Sequence, residues 1–288
     1  MSINSNFSEI IYLGPEGTYS QIAAEEIAKK YNLQGGNFKS ICSIKAIIDY
    51  ADKNDNVAAV VPIENSIEGI VRETIDNLTF VKDERLKISA EFVLPINNCL
   101  LTKNKISLKD VNTIVSYTQP LAQCRNFIVN NFPHDINIRE IHSTAQAAKS
   151  LLTAPDDWAA IANKKAAEIY ELNVLAENIN DTQNNKTRFV VLSKIPTKIT
   201  NSDKTGIVFS TSNIPGALWN VLNVFKKFEI NLTYIDSRPS AKNLKEYNFY
   251  VDFEGHILDE RITCALKELK QFTTFFRHNG SYKKFIDN

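Results

Sequence analysis

The segment Asn185-Lys186-Thr187-Arg188-Phe189 sets a hydroxyl beside a guanidinium where an apolar run, Phe189 to Leu192, begins a strand. A threonine hydroxyl can donate a hydrogen bond to an oxygen that gathers charge. A guanidinium is a permanently charged fork that grips a carboxylate through two parallel bonds. The pair suits a small carboxylate substrate and a group that must be protonated or held, and it does not suit redox or metal chemistry. Strand alternation sets a condition. Thr187 and Phe189 point to one face and Arg188 to the other, so both polar groups reach one ligand only if Thr187 lies in a bend before the strand. Taken alone, Thr187 is also an ordinary strand former, and Arg188 an ordinary ion-pair partner at a strand end.

Three further segments place small polar residues between an apolar run and a helical pattern: Gly14 to Ser20, Glu64-Asn65-Ser66 and Ser143-Thr144-Ala145. A helix start offers N–H groups and partial positive charge, so it can seat an anion without lysine. Singly, Thr18, Ser66 and Ser143 read equally well as caps. Asn65 reads as a turn residue, and Glu64 is either solvated at the sheet rim or functional. Gly14-x-x-Gly17 lacks the third glycine of a dinucleotide fingerprint, and no phosphate-loop pattern occurs.

These residues need a scaffold, and the sequence supplies two kinds. Up to about residue 193 short apolar runs alternate with helical patterns: Ile10–Leu13, Val57–Val61, Thr113–Tyr117 and Ala159–Ala162 as strands. Thr18 with Gln21 and Ser143 with Gln146 stand in capping-box register, and Ile67, Ile70, Val71, Thr74, Ile75 and Leu78 share a helical face. This implies an α/β domain over 1–193, helices covering the sheets. Residues 194–204 are polar, hold a proline and read as a linker. From 205 to 288 the order becomes strand, helix, strand, strand, helix, strand, a ferredoxin-like βαββαβ unit in which Pro215 occupies the first helical turn.

The 288 residues carry 33 Lys+Arg against 33 Asp+Glu, so no global field draws nucleic acid or a membrane surface. No apolar run has the length of a membrane span, and the polar residues 1–6 lack a signal-peptide core. Cys42, Cys99, Cys124 and Cys264 are scattered, which reads as free thiols in a reducing cytoplasm. The four histidines show no ligand spacing, so no metal is expected, and with no dinucleotide or phosphate-loop pattern neither is a nucleotide cofactor.

Taken together, the segments resemble the prephenate dehydratase family nearly end to end: L-G-P-E-G-T-Y-S (13–20), A-V-V-P-I-E-N-S-I-E-G (59–69), L-A-Q-C (121–124), S-T-A-Q-A-A (143–148), A-A-I-A (159–162), V-L-A-E-N-I-N-D (174–181) and N-K-T-R-F (185–189). N-I-P-G-A-L (213–218), I-N-L-T (230–233), S-R-P (237–239) and G-S-Y (280–282) resemble the ACT regulatory domain that follows such enzymes. Asp236 stands where the family usually has Glu. Tyr117-Thr118 replaces a His-Pro pair, so no histidine receives a catalytic role. About nine residues precede the first strand, so a monofunctional form without a chorismate mutase domain is expected.

The resemblance implies a two-lobed catalytic domain like a periplasmic binding protein, one lobe from residues near 1–80 plus the Thr187 strand and the other from the middle. It implies conversion of prephenate to phenylpyruvate, with arogenate as the alternative substrate and a non-catalytic carboxylate-binding protein as the rival of another class. Thr187 is then the donor to the departing hydroxyl and Arg188 the clamp on the pyruvyl carboxylate. Asn65, Ser66, Ser143, Thr144 and Ala145 position the anion, Phe189 lines the apolar wall and Glu64 lies nearby. Phenylalanine as effector would engage Asn213, Pro215, Gly216, Ala217 and Leu218, together with Asp236, Ser237, Arg238 and Pro239, in a homodimer or homotetramer.

Overall fold

The computed structural model describes residues 7–33, 36–240 and 243–286; the polar N-terminal residues 1–6 lie outside it. The chain begins with β1 (Glu9–Leu13), α1 (Tyr19–Lys30), β2 (Asn37–Ile41), α2 (Ile44–Lys53), β3 (Val57–Asn65), β4 (Gly69–Ile70), α3 (Arg72–Thr79) and β5 (Lys87–Pro95). It continues with β6 (Cys99–Thr102), β7 (Thr113–Ser116), α4 (Thr118–Gln123), α5 (Arg125–Asn131), β8 (Asn137–Glu140), α6 (Thr144–Ser150), β9 (Trp158–Ala162), α7 (Lys164–Ile169) and β10 (Asn173–Ala176). Then β11 (Lys186–Ser193) leads to β12 (Asp203–Ser210), α8 (Ala217–Lys227), β13 (Leu232–Ser240), β14 (Asn243–Glu254), α9 (Glu260–Leu269) and β15 (Phe275–Lys283).

Three sheets result. The first runs β2-β1-β3-β11-β5 with β4 beside β3, the second β10-β6-β9-β7-β8 and the third β13-β14-β12-β15. In the first sheet β1, β2 and β3 are parallel, and β11 enters antiparallel between β3 and β5. The chain therefore leaves the first lobe after Pro95, builds the second, and returns at Lys186. That double crossing produces the two-lobed, periplasmic-binding-protein-like arrangement. The first lobe reaches Pro95 rather than stopping near residue 80, because β11 needs β5 on its free edge. The third sheet is antiparallel throughout, and its strand order is the ferredoxin-like one.

Central strands read as continuous apolar runs because both faces are covered. On β3, Val57, Ala59 and Val61 pack with α2 and α3, while Ala58 and Val60 pack beneath α1. The segment after β3 departs from the expected helix: residues 67–70 form a turn and β4, and α3 starts at Arg72 behind Val71, which makes no side-chain cap. Only Thr74, Ile75 and Leu78 of the expected helical face are buried on that helix. The Thr18 capping pair is also altered. Thr18 accepts from Gln21 N, but the Gln21 side chain turns to Gly17 N.

The third sheet packs on the first. Val208, Tyr250 and Tyr282 share a core with Ile11, Val61 and Val190. β15 runs so close to β5 that a Cβ on Gly280 would lie 2.1 Å from the Ile88 carbonyl oxygen, at a φ of +146°. Gly280→Ala is expected to destabilise the protein by roughly 1–3 kcal/mol, read as a lowered denaturant midpoint; an unchanged midpoint would contradict the docking. The segment between β11 and β12 is pinned as well: Lys194, half-buried, pairs with Asp55 at 2.8 Å and Asp83 at 2.9 Å, and β12 already begins at Asp203.

His278 lies at this seam, its ring 3.1 Å from Ser281 Oγ and its carbonyl accepting from Lys87 Nζ at 2.8 Å. Burial, then the Lys87 charge, lowers its pKa to about 3. The folded chain keeps the ring neutral while an unfolded histidine takes up a proton below about pH 6.5. Stability contributed this way is complete above that pH and declines as pH falls toward 3, by up to about 1.4 kcal/mol per unit. His278→Gln should flatten the dependence of the urea midpoint between pH 7.5 and 5; an unaltered slope would assign it elsewhere. Among the described residues, no helix is long and apolar enough to cross a membrane.

Candidate active site

A cavity of about 600 Å³ opens between the two lobes. Three helix starts converge on it: Thr18 to Ser20 at α1, Ile44 at α2, and Ser143 and Thr144 at α6. Ser43 caps α2 and Ser143 caps α6, each accepting from the backbone N–H three residues on. Thr18 is a spent cap, since its hydroxyl also donates to Leu13 O at 3.0 Å.

At the back of the cavity the ends of β3 and β11 meet. Asn65 and Thr187 are direct cross-strand partners, and Asn65 Nδ2 donates to Thr187 Oγ1 at 2.9 Å. The direction of that bond is fixed by the rest of the amide. Asn65 Oδ1 accepts from the N–H groups of Ile67 at 2.9 Å and Glu68 at 3.0 Å, so its nitrogen must face Thr187. Thr187 Oγ1 therefore accepts, and its own hydrogen is left for whatever occupies the cavity. The same Nδ2 reaches Asn185 Oδ1 at 2.9 Å, and Asn185 Nδ2 donates to Gln123 Oε1 on α4 at 2.9 Å. A chain of amides thus spans both lobes and ends on the hydroxyl.

Several expected residues lie elsewhere. Arg188 does not face the cavity. β11 is already extended at Lys186, so strict alternation turns the guanidinium to the opposite face of the sheet. There it meets Glu64 at 3.0 Å, Glu91 at 3.2 Å and Asp252 of the third sheet at 2.8 Å, only 7% exposed. Burial disfavours its charge, but Asp252, two tyrosines and Glu91 outweigh that and hold its pKa well above the usual value. Glu64, its cross-strand partner, shares that rear face and so does not confront a substrate anion. Ser66 is exposed and starts no helix; it laces the strand ends, donating to Asn184 O and accepting from Lys186 N. Ala145 is buried against Gly17, at the contact between lobes. Phe189 is 2% exposed in the core beneath α1, not on the cavity wall.

Other residues in and behind the wall received no role from the sequence. Gln123 and Asn185 form the amide chain. Tyr19 donates to Asn97 O at 2.7 Å and Asn98 Oδ1 at 3.0 Å, and burial keeps its pKa far above 10. Asn163 Nδ2 crosses between lobes to Gly17 O at 2.8 Å. Tyr19 and Gln123 lie within segments that carried the family resemblance; Asn98 and Asn163 gave no signal, since a lone asparagine reads as a turn. Among the described residues lining the cavity there is no lysine or arginine, and the wall of Leu13, Ile44, Pro62, Ile70, Val71 and Ile96 is apolar.

In the third sheet, Asn213, Pro215 and Gly216 form an exposed loop, and α8 begins only at Ala217. Pro215 therefore precedes the helix. Gly216 caps it at φ +81° with open space around a would-be Cβ, so its backbone conformation, not a close approach, asks for glycine. Leu218 packs partly into that domain's core. Asp236, Ser237, Arg238 and Pro239 lie on the outer strand β13; Asp236 Oδ1 accepts from Ser237 N, and Arg238 reaches Asp76 on α3 at 2.8 Å.

The fold and cleft define a two-lobed α/β unit with a cavity between its lobes, joined to a ferredoxin-like domain. The chain belongs to the prephenate dehydratase family, whose model matches residues 10–197, and is an enzyme of the hydro-lyase class. It is 40% identical to the prephenate dehydratase of Methanocaldococcus jannaschii over 281 residues, covering 96% of this chain and 98% of the relative. It is also 40% identical to the bifunctional chorismate mutase/prephenate dehydratase of Aquifex aeolicus over 279 residues, covering 96% of this chain and 74% of that one. The prephenate dehydratase of Arthrobacter aurescens, solved in complex with L-Phe, superposes with a TM-score of 0.86 at 31% identity, over 96% of this chain and 90% of the other.

Proposed function

We propose that the cleft converts prephenate to phenylpyruvate, with Thr187 as hydrogen-bond donor to the departing oxygen. The supporting observation is the fixed Asn65 amide, which leaves the Thr187 hydroxyl free to donate into the cavity between the lobes. In the reaction the bond to the ring carboxylate breaks and carbon dioxide departs. That electron pair enters the ring, and the ring C–O bond breaks with its pair on oxygen. Hydroxide leaves and becomes water on taking a proton. A threonine hydroxyl is far too weak an acid for ordinary general acid catalysis. A donor aimed where charge grows is an electrostatic role instead.

The pyruvyl carboxylate is best served by the α6 and α1 starts, where Ser143 retains a free O–H while its oxygen accepts from Gln146 N. A strong cation on the ring carboxylate would stabilise the ground state and slow its loss. The apolar wall without lysine or arginine suits that requirement.

The relative solved in complex with L-Phe supports phenylalanine as a feedback effector; its seat at the third sheet is the reading that the resemblance to ACT domains suggests. The exposed β13 edge and exposed Trp219 and Ile214 favour pairing of that sheet with a second copy, in a dimer or tetramer. The four cysteines are free, in keeping with a cytoplasmic enzyme. The test is an assay of purified full-length protein with prephenate and arogenate side by side. Phenylpyruvate should form with the higher kcat/KM on prephenate; no turnover of either would refute the proposal.

A further inference from the structure

We propose that Arg188 is a positioning residue that ties the seat of Thr187 to the ferredoxin-like domain, so that the placement of that domain sets the aim of the hydroxyl. The proposal rests on the dehydratase reading of the cleft. One strand pair carries two functions on its two faces. Thr187 and Asn65 are cross-strand partners on the cavity face, and Arg188 and Glu64 are the next pair, on the rear face. The rear pair is not closed on itself. Arg188 also binds Glu91 on β5 and Asp252 on β14, so one side chain joins three strands of two domains.

Three observations make this junction responsive. The β3–β11 register slips immediately after Arg188, where Phe189 faces Pro62 and Ile63 becomes the extra residue of a bulge. Bulges re-aim neighbouring side chains. A second tie reaches the same spot: Arg238 of β13 holds Asp76 on α3, and Thr74 of α3 donates to Pro62 O at 2.6 Å. Finally, the ion cluster is incompletely satisfied, since Arg188 Nη2 is buried without a hydrogen-bond partner. A buried cation loses much when one partner is withdrawn. A shift of Asp252 must therefore be answered by the strands that carry Thr187 and Asn65.

Nearness alone is not coupling, and a double-mutant cycle measures it. Asp252→Asn keeps the shape of the side chain and lies away from the cavity. In the full-length enzyme it should lower kcat roughly three- to tenfold with KM nearly unchanged. In a Thr187→Ala background it should change kcat by less than about twofold, because nothing remains to be aimed. Arg188→Lys should likewise act on kcat rather than KM. Equal losses from Asp252→Asn in both backgrounds would mean a merely structural contact and overturn the proposal. So would an Arg188→Lys defect carried by KM, which would return the guanidinium to the substrate. If Arg188→Lys fails to fold, the Asp252 cycle decides. Wild-type enzyme without phenylpyruvate formation would refute the dehydratase reading, whereas active wild type with additive losses refutes only the coupling.

Discussion

Thr187→Ala is expected to lower kcat by about two to three orders of magnitude, the loss that follows removal of one preorganised donor from a developing oxyanion. Thr187 is 8% exposed and lines the cavity, and its hydroxyl oxygen already accepts from Asn65. Deleting it removes a group whose hydrogen a fixed neighbour leaves for the ligand. KM should move little, since the carboxylates are held elsewhere. Thr187→Ser, which keeps the hydroxyl, should recover much of the rate. Steady-state formation of phenylpyruvate decides, and near-normal turnover by the alanine variant would remove Thr187 from the chemistry.

Asn65→Asp is expected to match that loss, about a hundredfold or more in kcat, although it exchanges one amide for an isosteric carboxylate. The carboxylate has no hydrogen to give. At 2.9 Å it would take the Thr187 proton as acceptor and reverse the bond that leaves the hydroxyl free. The backbone N–H groups of Ile67 and Glu68 would still be satisfied, so the turn should hold. The added charge should also raise KM by repelling a dianion. A variant that folds normally and keeps its kcat would show that the direction of the Asn65–Thr187 bond is irrelevant.

Much of the architecture was legible because it rests on local pattern. The apolar runs of β3, β7 and β9 and the change to a βαββαβ order are short-range signals, and they mark the α/β class and the separate third sheet; the division into two lobes came from the resemblance. The strands that escaped notice include β2 and β8, exposed edges with no apolar alternation. Docking of the third sheet was not legible, since it depends on a glycine 192 positions from the backbone it touches (Gly280 against Ile88).

At the site, the period of two in a strand already set Thr187 and Arg188 on opposite faces, and the clamp role needed a bend that β11 does not make. Backbone geometry prevailed over the chemical appeal of a hydroxyl beside a guanidinium. Ser66 failed as an anion group for a related reason: a turn and β4 intervene before α3, so no helix opens behind it. Asn65, Ser143 and Thr144 reached the cavity because each closes a strand or opens a helix at the edge where the lobes face. Gln123 and Asn185 acquire meaning only once the lobes are folded together, because their bond joins α4 to β11.

The proposed site would hold its anion through helix starts, hydroxyls and amides, with the Arg188 guanidinium turned to the far side of the sheet. The most direct measurement is a crystal structure of the Thr187→Ala variant with prephenate held unreacted in the cleft. The ring hydroxyl should lie beside the vacated position of Thr187 Oγ1, with the pyruvyl carboxylate at the α6 start and Arg188 still bound to Glu64 and Asp252. A guanidinium swung through to grip either carboxylate, or a ligand seated away from Asn65, would contradict it.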